Sequence, residues 1–142
     1  MKGFERILVA VDGSEVSLRA AERAVRIAKQ DSAQLIALHV VRVPMAEVPG
    51  GLVDYFDRAR KEAKKWMGDI EAMATQNGIG VKTEIVVGAY SVVDAIVGYA
   101  ESAKIDLIVS GTRGTTPSRR MLVGSVADGL VQYASCAVLV IR

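Results

Sequence analysis

Five short aliphatic runs, at residues 7–11, 35–41, 81–87, 106–110 and 138–141, alternate along the chain with segments of helical periodicity. Most of these runs are apolar on consecutive residues. That pattern suits strands covered on both faces, as in a parallel sheet, rather than strands with one wet face. The third run departs from it: Lys82 and Glu84 make it alternate, which predicts an edge strand. Strands alternating with helices imply right-handed crossovers and helices on both faces of one sheet, a three-layer α/β sandwich.

The intervening segments carry helix signals. Leu18, Ala21, Val25 and Ala28 recur at three- and four-residue steps, with Ser14 placed to cap that helix and Glu15 at its positive end. Leu52, Phe56, Ala59, Ala63, Trp66, Ile70 and Met73 form one long stripe, ended by Asn77-Gly78. Ser91 with Asp94, and Ser125 with Asp128, have the spacing of capping boxes for a third and a fourth helix. At 142 residues, with no linker or low-complexity tract, residues 1–142 are expected to form one domain.

Composition narrows the function. A formal net charge of +2 does not suit a dedicated nucleic-acid binder. No apolar run approaches the roughly 18 residues a membrane span needs, and the first residues lack a signal-peptide pattern, so an intracellular, cytoplasmic location is expected. The one cysteine, Cys136, precedes an apolar run and is expected to be a buried, inert thiol. The one histidine, His39, lies inside an apolar run and is expected to be a hydrogen-bonded core residue rather than a base.

Open parallel sheets bind ligands at the carboxyl ends of their strands, where the strand order reverses. After the fourth run come Gly111-Thr112-Arg113-Gly114 and then Gly124-Ser125, opening the last helix. Glycines let a ligand approach the main chain, and a helix start supplies unpaired N–H groups and partial positive charge, a natural phosphate seat. Ser125 adds a hydroxyl, and Arg113, Arg119 or Arg120 a cation. Gly111 could equally end a strand, Gly124 could let a helix pack closely, and Ser125 could serve only as a cap. The lysine-bearing P-loop and the Gly-x-Gly-x-x-Gly dinucleotide motif are both absent. Asp12, at the end of the first run, can reach a ribose hydroxyl, an adenine amine or a hydrated metal. It can also bond its own Gly13-Ser14 turn.

The spacing Gly-x2-Gly-x9-Gly-Ser, from Gly111 through Gly114 to Gly124 and Ser125, resembles the ATP-binding branch of the universal stress protein family. The resemblance extends to Ile7-Leu8-Val9-Ala10-Val11-Asp12-Gly13-Ser14, Leu38-His39-Val40, Val86-Val87-Gly88 and Cys136-Ala137-Val138-Leu139-Val140. It implies a five-stranded parallel sheet of order 3-2-1-4-5, of the adenine nucleotide alpha hydrolase-like type. By that similarity Asp12 and the backbone around Ala10, Val11 and Val40 would face adenine and ribose. Gly111, Thr112, Arg113, Gly114, Gly124, Ser125 and Val126 would surround ribose and phosphates.

ATP, with Mg2+ held through water at Asp12, is the implied ligand, and a nucleotide-dependent regulatory or sensing role in stress response the implied function. A slow ATP hydrolase is the alternative, efficient catalysis not being expected of a site without lysine. A partner-binding module that has lost nucleotide is a third reading. The closing run Val138-Leu139-Val140-Ile141 would be an edge strand pairing antiparallel with a second copy, and an unidentified regulatory protein would be a further partner. Two departures from the family pattern, Ala137 and Gly88-Ala89-Tyr90, lie away from the phosphate seat. A third, Thr115-Thr116-Pro117-Ser118-Arg119-Arg120, bears on how its loop closes.

Overall fold

The computed structural model describes residues 2–112 and 124–142. Its elements run β1 (Arg6–Ala10), α1 (Glu15–Asp31), β2 (Gln34–Arg42), α2 (Gly51–Gln76), β3 (Lys82–Ala89), α3 (Val92–Ser102), β4 (Leu107–Gly111), α4 (Ser125–Tyr133) and β5 (Ala137–Ile141). All strand pairings are parallel, in the order β3-β2-β1-β4-β5. The alternating third run is an edge, as its two charges predict, and Lys82 and Glu84 pair along it at 3.2 Å.

Strand alternation sorts the core into two layers. Ile7, Val9 and Val11 pack with Ala21, Val25 and Ala28 of α1 and Met67 and Ile70 of α2. Leu8, Leu38 and Ile108 pack with Ile96 of α3 and Leu130 of α4. The sheet is therefore doubly covered, which is why its central strands read as unbroken apolar runs.

Helix ends follow the local chemistry. Ser14 caps α1, its hydroxyl accepting from the Ser17 N–H at 3.2 Å. Ser91 caps α3 through the Asp94 N–H at 3.1 Å. Past α2, Gly78 adopts the left-handed conformation that Asn77-Gly78 predicts, with φ of 74°.

Four expectations need correction. The capping box at Ser125 and Asp128 does not form: Gly124 is the cap, and Ser125 is the first helical residue. Gly124 is extended and its carbonyl accepts the Asp128 N–H at 2.9 Å, while the Asp128 carboxylate accepts from the Gln132 amide instead. In α2 the fully buried face is Ala63, Met67, Ile70 and Ala74, so it is rotated from the expected stripe, and Leu52 is half exposed. Asp106 lies just before β4 rather than in it. Its two carboxylate oxygens accept the N–H groups of Glu5 and Arg6 at 2.9 and 2.8 Å, tying down the start of β1. Cys136 is only partly buried, because it lines an open cleft at the amino end of β5.

Candidate functional site

The strand order reverses between β1 and β4. In register, Ala10 sits opposite Ser110, so the chain segments leaving both strands emerge side by side at the carboxyl end of the sheet. That is where an open α/β fold offers a ligand crevice.

On the β1 side the turn into α1 is tightly held. Val11, the first residue past the strand, donates its N–H to the Leu38 carbonyl at 2.9 Å. Asp12 Oδ1 accepts the Ser14 N–H at 2.9 Å, and the Asp12 N–H reaches Ser17 Oγ at 3.3 Å. Ser17 Oγ in turn donates to the Ser14 carbonyl at 2.9 Å. Asp12 therefore fills its turn-bonding role with one oxygen. Among the described residues Oδ2 has no hydrogen-bond donor, and the residue is half-buried, so this oxygen is available to a ligand. Ser17, fully buried beneath the turn, was not foreseen as part of the site. Its Ser-x-x-Ser spacing from Ser14 was the available signal.

On the β4 side Gly111 ends the strand. A Cβ there would lie 2.7 Å from Val16 Cγ1 and 3.3 Å from the Val16 carbonyl carbon. Close packing of α1 thus accounts for this glycine without a ligand. Thr112 is buried and donates its N–H to the Ile141 carbonyl at 2.7 Å. Its own carbonyl accepts the Gly124 N–H, so the β4 exit and the α4 start are drawn together. The first helical bond of α4 belongs to Asp128, which leaves the N–H groups of Ser125, Val126 and Ala127 without an acceptor inside the helix.

Because Gly124 carries no capping side chain, this helix start is open in a way that those of α1 and α3 are not. Ser125 is exposed, while the Val126 side chain packs into the α3/α4 layer and offers only its backbone. Val40, on β2 beside Val86, is buried in the same layer. Arg113 and Gly114, with the stretch Thr115-Thr116-Pro117-Ser118-Arg119-Arg120, lie outside the described residues.

His39 is hydrogen-bonded, as expected of it, but only partly buried rather than in the core. Its Nδ1 lies 2.8 Å from the Val11 carbonyl oxygen, which only accepts, so Nδ1 carries the proton. The imidazole also meets Trp66 edge to face, with ring centroids 4.9 Å apart. Cys136 is far from this crevice, and its thiol pKa is raised by burial first and by the negative charge of Asp106 second. A raised pKa leaves less thiolate at neutral pH, which suits an inert thiol and not a nucleophile. Among the described residues no cluster of histidine, cysteine and acidic side chains could hold a metal, and no helix is long and apolar enough to cross a membrane.

These features define a doubly wound parallel α/β fold with polar groups gathered at its topological switch point. The chain belongs to the universal stress protein family, whose model matches residues 3–142. It is 37% identical to a universal stress protein of Methanocaldococcus jannaschii, over 98% of this chain and 82% of that protein. Among solved structures it superposes on the universal stress protein UspA of Lactobacillus plantarum with a TM-score of 0.90. The identity there is 35%, and all of both chains is covered. A universal stress protein solved in complex with cAMP matches with a TM-score of 0.76 at 28% identity, over 99% of each chain.

Proposed function

We propose that this protein binds an adenine nucleotide, ATP in the first instance, in the crevice between the β1 and β4 exits, and acts as a nucleotide-dependent regulatory module. One observation carries the reading. The strand reversal brings the Asp12 turn and the start of α4 to the same end of the sheet, a carboxylate on one side and, on the other, N–H donors with no acceptor inside the helix. A ribose hydroxyl suits Asp12 Oδ2, and phosphate oxygens suit the N–H groups of Ser125 and Val126 with the Ser125 hydroxyl. Arg113 and Gly114 would complete the phosphate seat, and Mg2+ would arrive on the phosphates, reaching Asp12 through water. The relative solved with cAMP supports an adenine nucleotide as the ligand class.

Asp12→Ala should raise the Kd for Mg·ATP in calorimetry by about ten- to a hundredfold, the worth of one charge-assisted hydrogen bond. Asp12→Asn keeps an oxygen for the Ser14 N–H, so it should retain wild-type stability while losing affinity. Unchanged affinity in Asp12→Ala, or no binding by the wild type at millimolar nucleotide, rejects the reading.

The same reading includes a homodimer. Among the described residues β5 pairs only with β4, and its Val138, Leu139, Val140 and Ile141 are all partly exposed. An apolar edge of this kind is a pairing surface unless covered, and antiparallel pairing about a two-fold axis covers it. Sedimentation at micromolar concentration should give a mass about twice that of the 15.1 kDa chain. A monodisperse monomer would count decisively against it.

A further inference from the structure

We propose that His39 and Trp66 form a positioning device that aims Asp12 at the ligand, an inference that rests on the nucleotide reading above. Three elements distant in sequence supply it. His39 projects from β2 on the α1/α2 side of the sheet and holds the Val11 carbonyl at 2.8 Å. With the Val11 N–H already on Leu38, both hydrogen-bonding groups of the residue before Asp12 are fixed to β2. Trp66, from α2, braces the edge of that imidazole. It also lies against the turn itself: a Cβ on Gly13 would stand 2.7 Å from the indole Nε1.

The turn is thus clamped twice, through the Val11 carbonyl by an imidazole and over Gly13 by an indole. The bond from Ser14 then anchors Asp12 Oδ1 to the turn, so the position of the carboxylate follows the backbone of residues 11–14. Neither His39 nor Trp66 needs to touch the nucleotide. Each acts through the backbone of residues 11–13. The only tryptophan in the chain sits at the contact between α2 and the turn, so its emission reports on that contact.

The test compares wild type, His39→Leu and His39→Asn. Two readouts are taken: amide hydrogen exchange at residues 12–14 in the ligand-free protein, and calorimetric titration with Mg·ATP. Leucine fills the space but donates nothing, whereas the asparagine amide nitrogen can take the place of Nδ1. His39→Leu should speed exchange of the Ser14 amide and raise the Kd by roughly three- to tenfold. His39→Asn should restore both to within about twofold of wild type. Trp66 emission should change saturably with nucleotide, with the calorimetric midpoint, and by a smaller amplitude in His39→Leu.

If His39→Leu does not fold, Trp66→Phe, which thins the cover over Gly13, should give the same paired change in exchange and affinity. The proposal is overturned if exchange and Kd are unmoved in the leucine variant, or if asparagine is as defective as leucine. Failure of the wild type to bind nucleotide rejects the nucleotide reading instead, and the exchange data still decide whether His39 holds the turn.

Discussion

Gly13→Ala should lower the free energy of unfolding by about 2–5 kcal/mol, one of the two largest effects expected of a single substitution in this protein. Two costs combine. The residue sits at φ of 83°, which an L side chain adopts only under strain of about 1–2 kcal/mol. The new methyl would also enter the indole of Trp66, 2.7 Å from Nε1 and 3.0 Å from Cε2. Overpacking a held ring typically costs about 1–3 kcal/mol.

The two costs separate in a double-mutant cycle. In a Trp66→Ala background the steric part should vanish and about 1–2 kcal/mol of backbone strain remain. Gly98→Ala is the matched control. That glycine lies inside α3 with nothing within 4 Å of an added Cβ. Alanine there should stabilise by about 0.5–1 kcal/mol. Urea unfolding of the variants checks all of this, and a Gly13→Ala loss no larger than the spread of surface mutants would refute the clamp over the turn.

The same turn shows what can and cannot be read from the sequence. Alternating aliphatic runs and helical stripes were enough for the fold class, because a doubly covered parallel sheet imposes burial on consecutive residues. Lys82 and Glu84 marked β3 as an edge for an equally local reason, since charges are stable only where water reaches them. Ser14 and Ser91 announced their helices because a cap bonds within its own first turn.

Contacts between distant elements left no such trace. No spacing rule links His39, Trp66 and Gly13, whose meeting is a product of three elements packed together. Asp106 looked like part of a strand because its partners, the N–H groups of Glu5 and Arg6, are about a hundred positions away, with sequence separations of 101 and 100. At Ser125 a local rule misled. Which residue caps a helix depends on where the backbone turns helical, and the carbonyl of Gly124, not Ser125, takes the first bond. That shift of one position changes the chemistry of the site, since it frees the Ser125 hydroxyl from capping.

Leu130→Ala should cost about 2–5 kcal/mol of stability and weaken nucleotide binding at the same time. α4 has 9 residues, too few to persist alone in water, where about 12–15 are marginal. Its hold on the sheet comes from Ala127, Gly129 and Leu130, and only Leu130 buries a large side chain there, fully enclosed among Leu8, Ile108 and Ile96. Gly129 lets the helix approach α3 so closely that a Cβ would meet Val93 at 2.7 Å, which leaves little freedom for the helix to slide and fill a cavity. An unrelaxed cavity puts the loss toward the upper part of the range.

Val131→Ala, one residue on and 58% exposed, should stay within about 0.5 kcal/mol of wild type. Because the N–H groups of Ser125 and Val126 are aimed only as well as α4 is anchored, Leu130→Ala should also raise the Kd for Mg·ATP, by an amount that Val131→Ala does not share. Denaturant unfolding and calorimetry on this pair test both parts. Equal affinities in the two variants would mean that the phosphate donors are positioned by something other than the packing of α4.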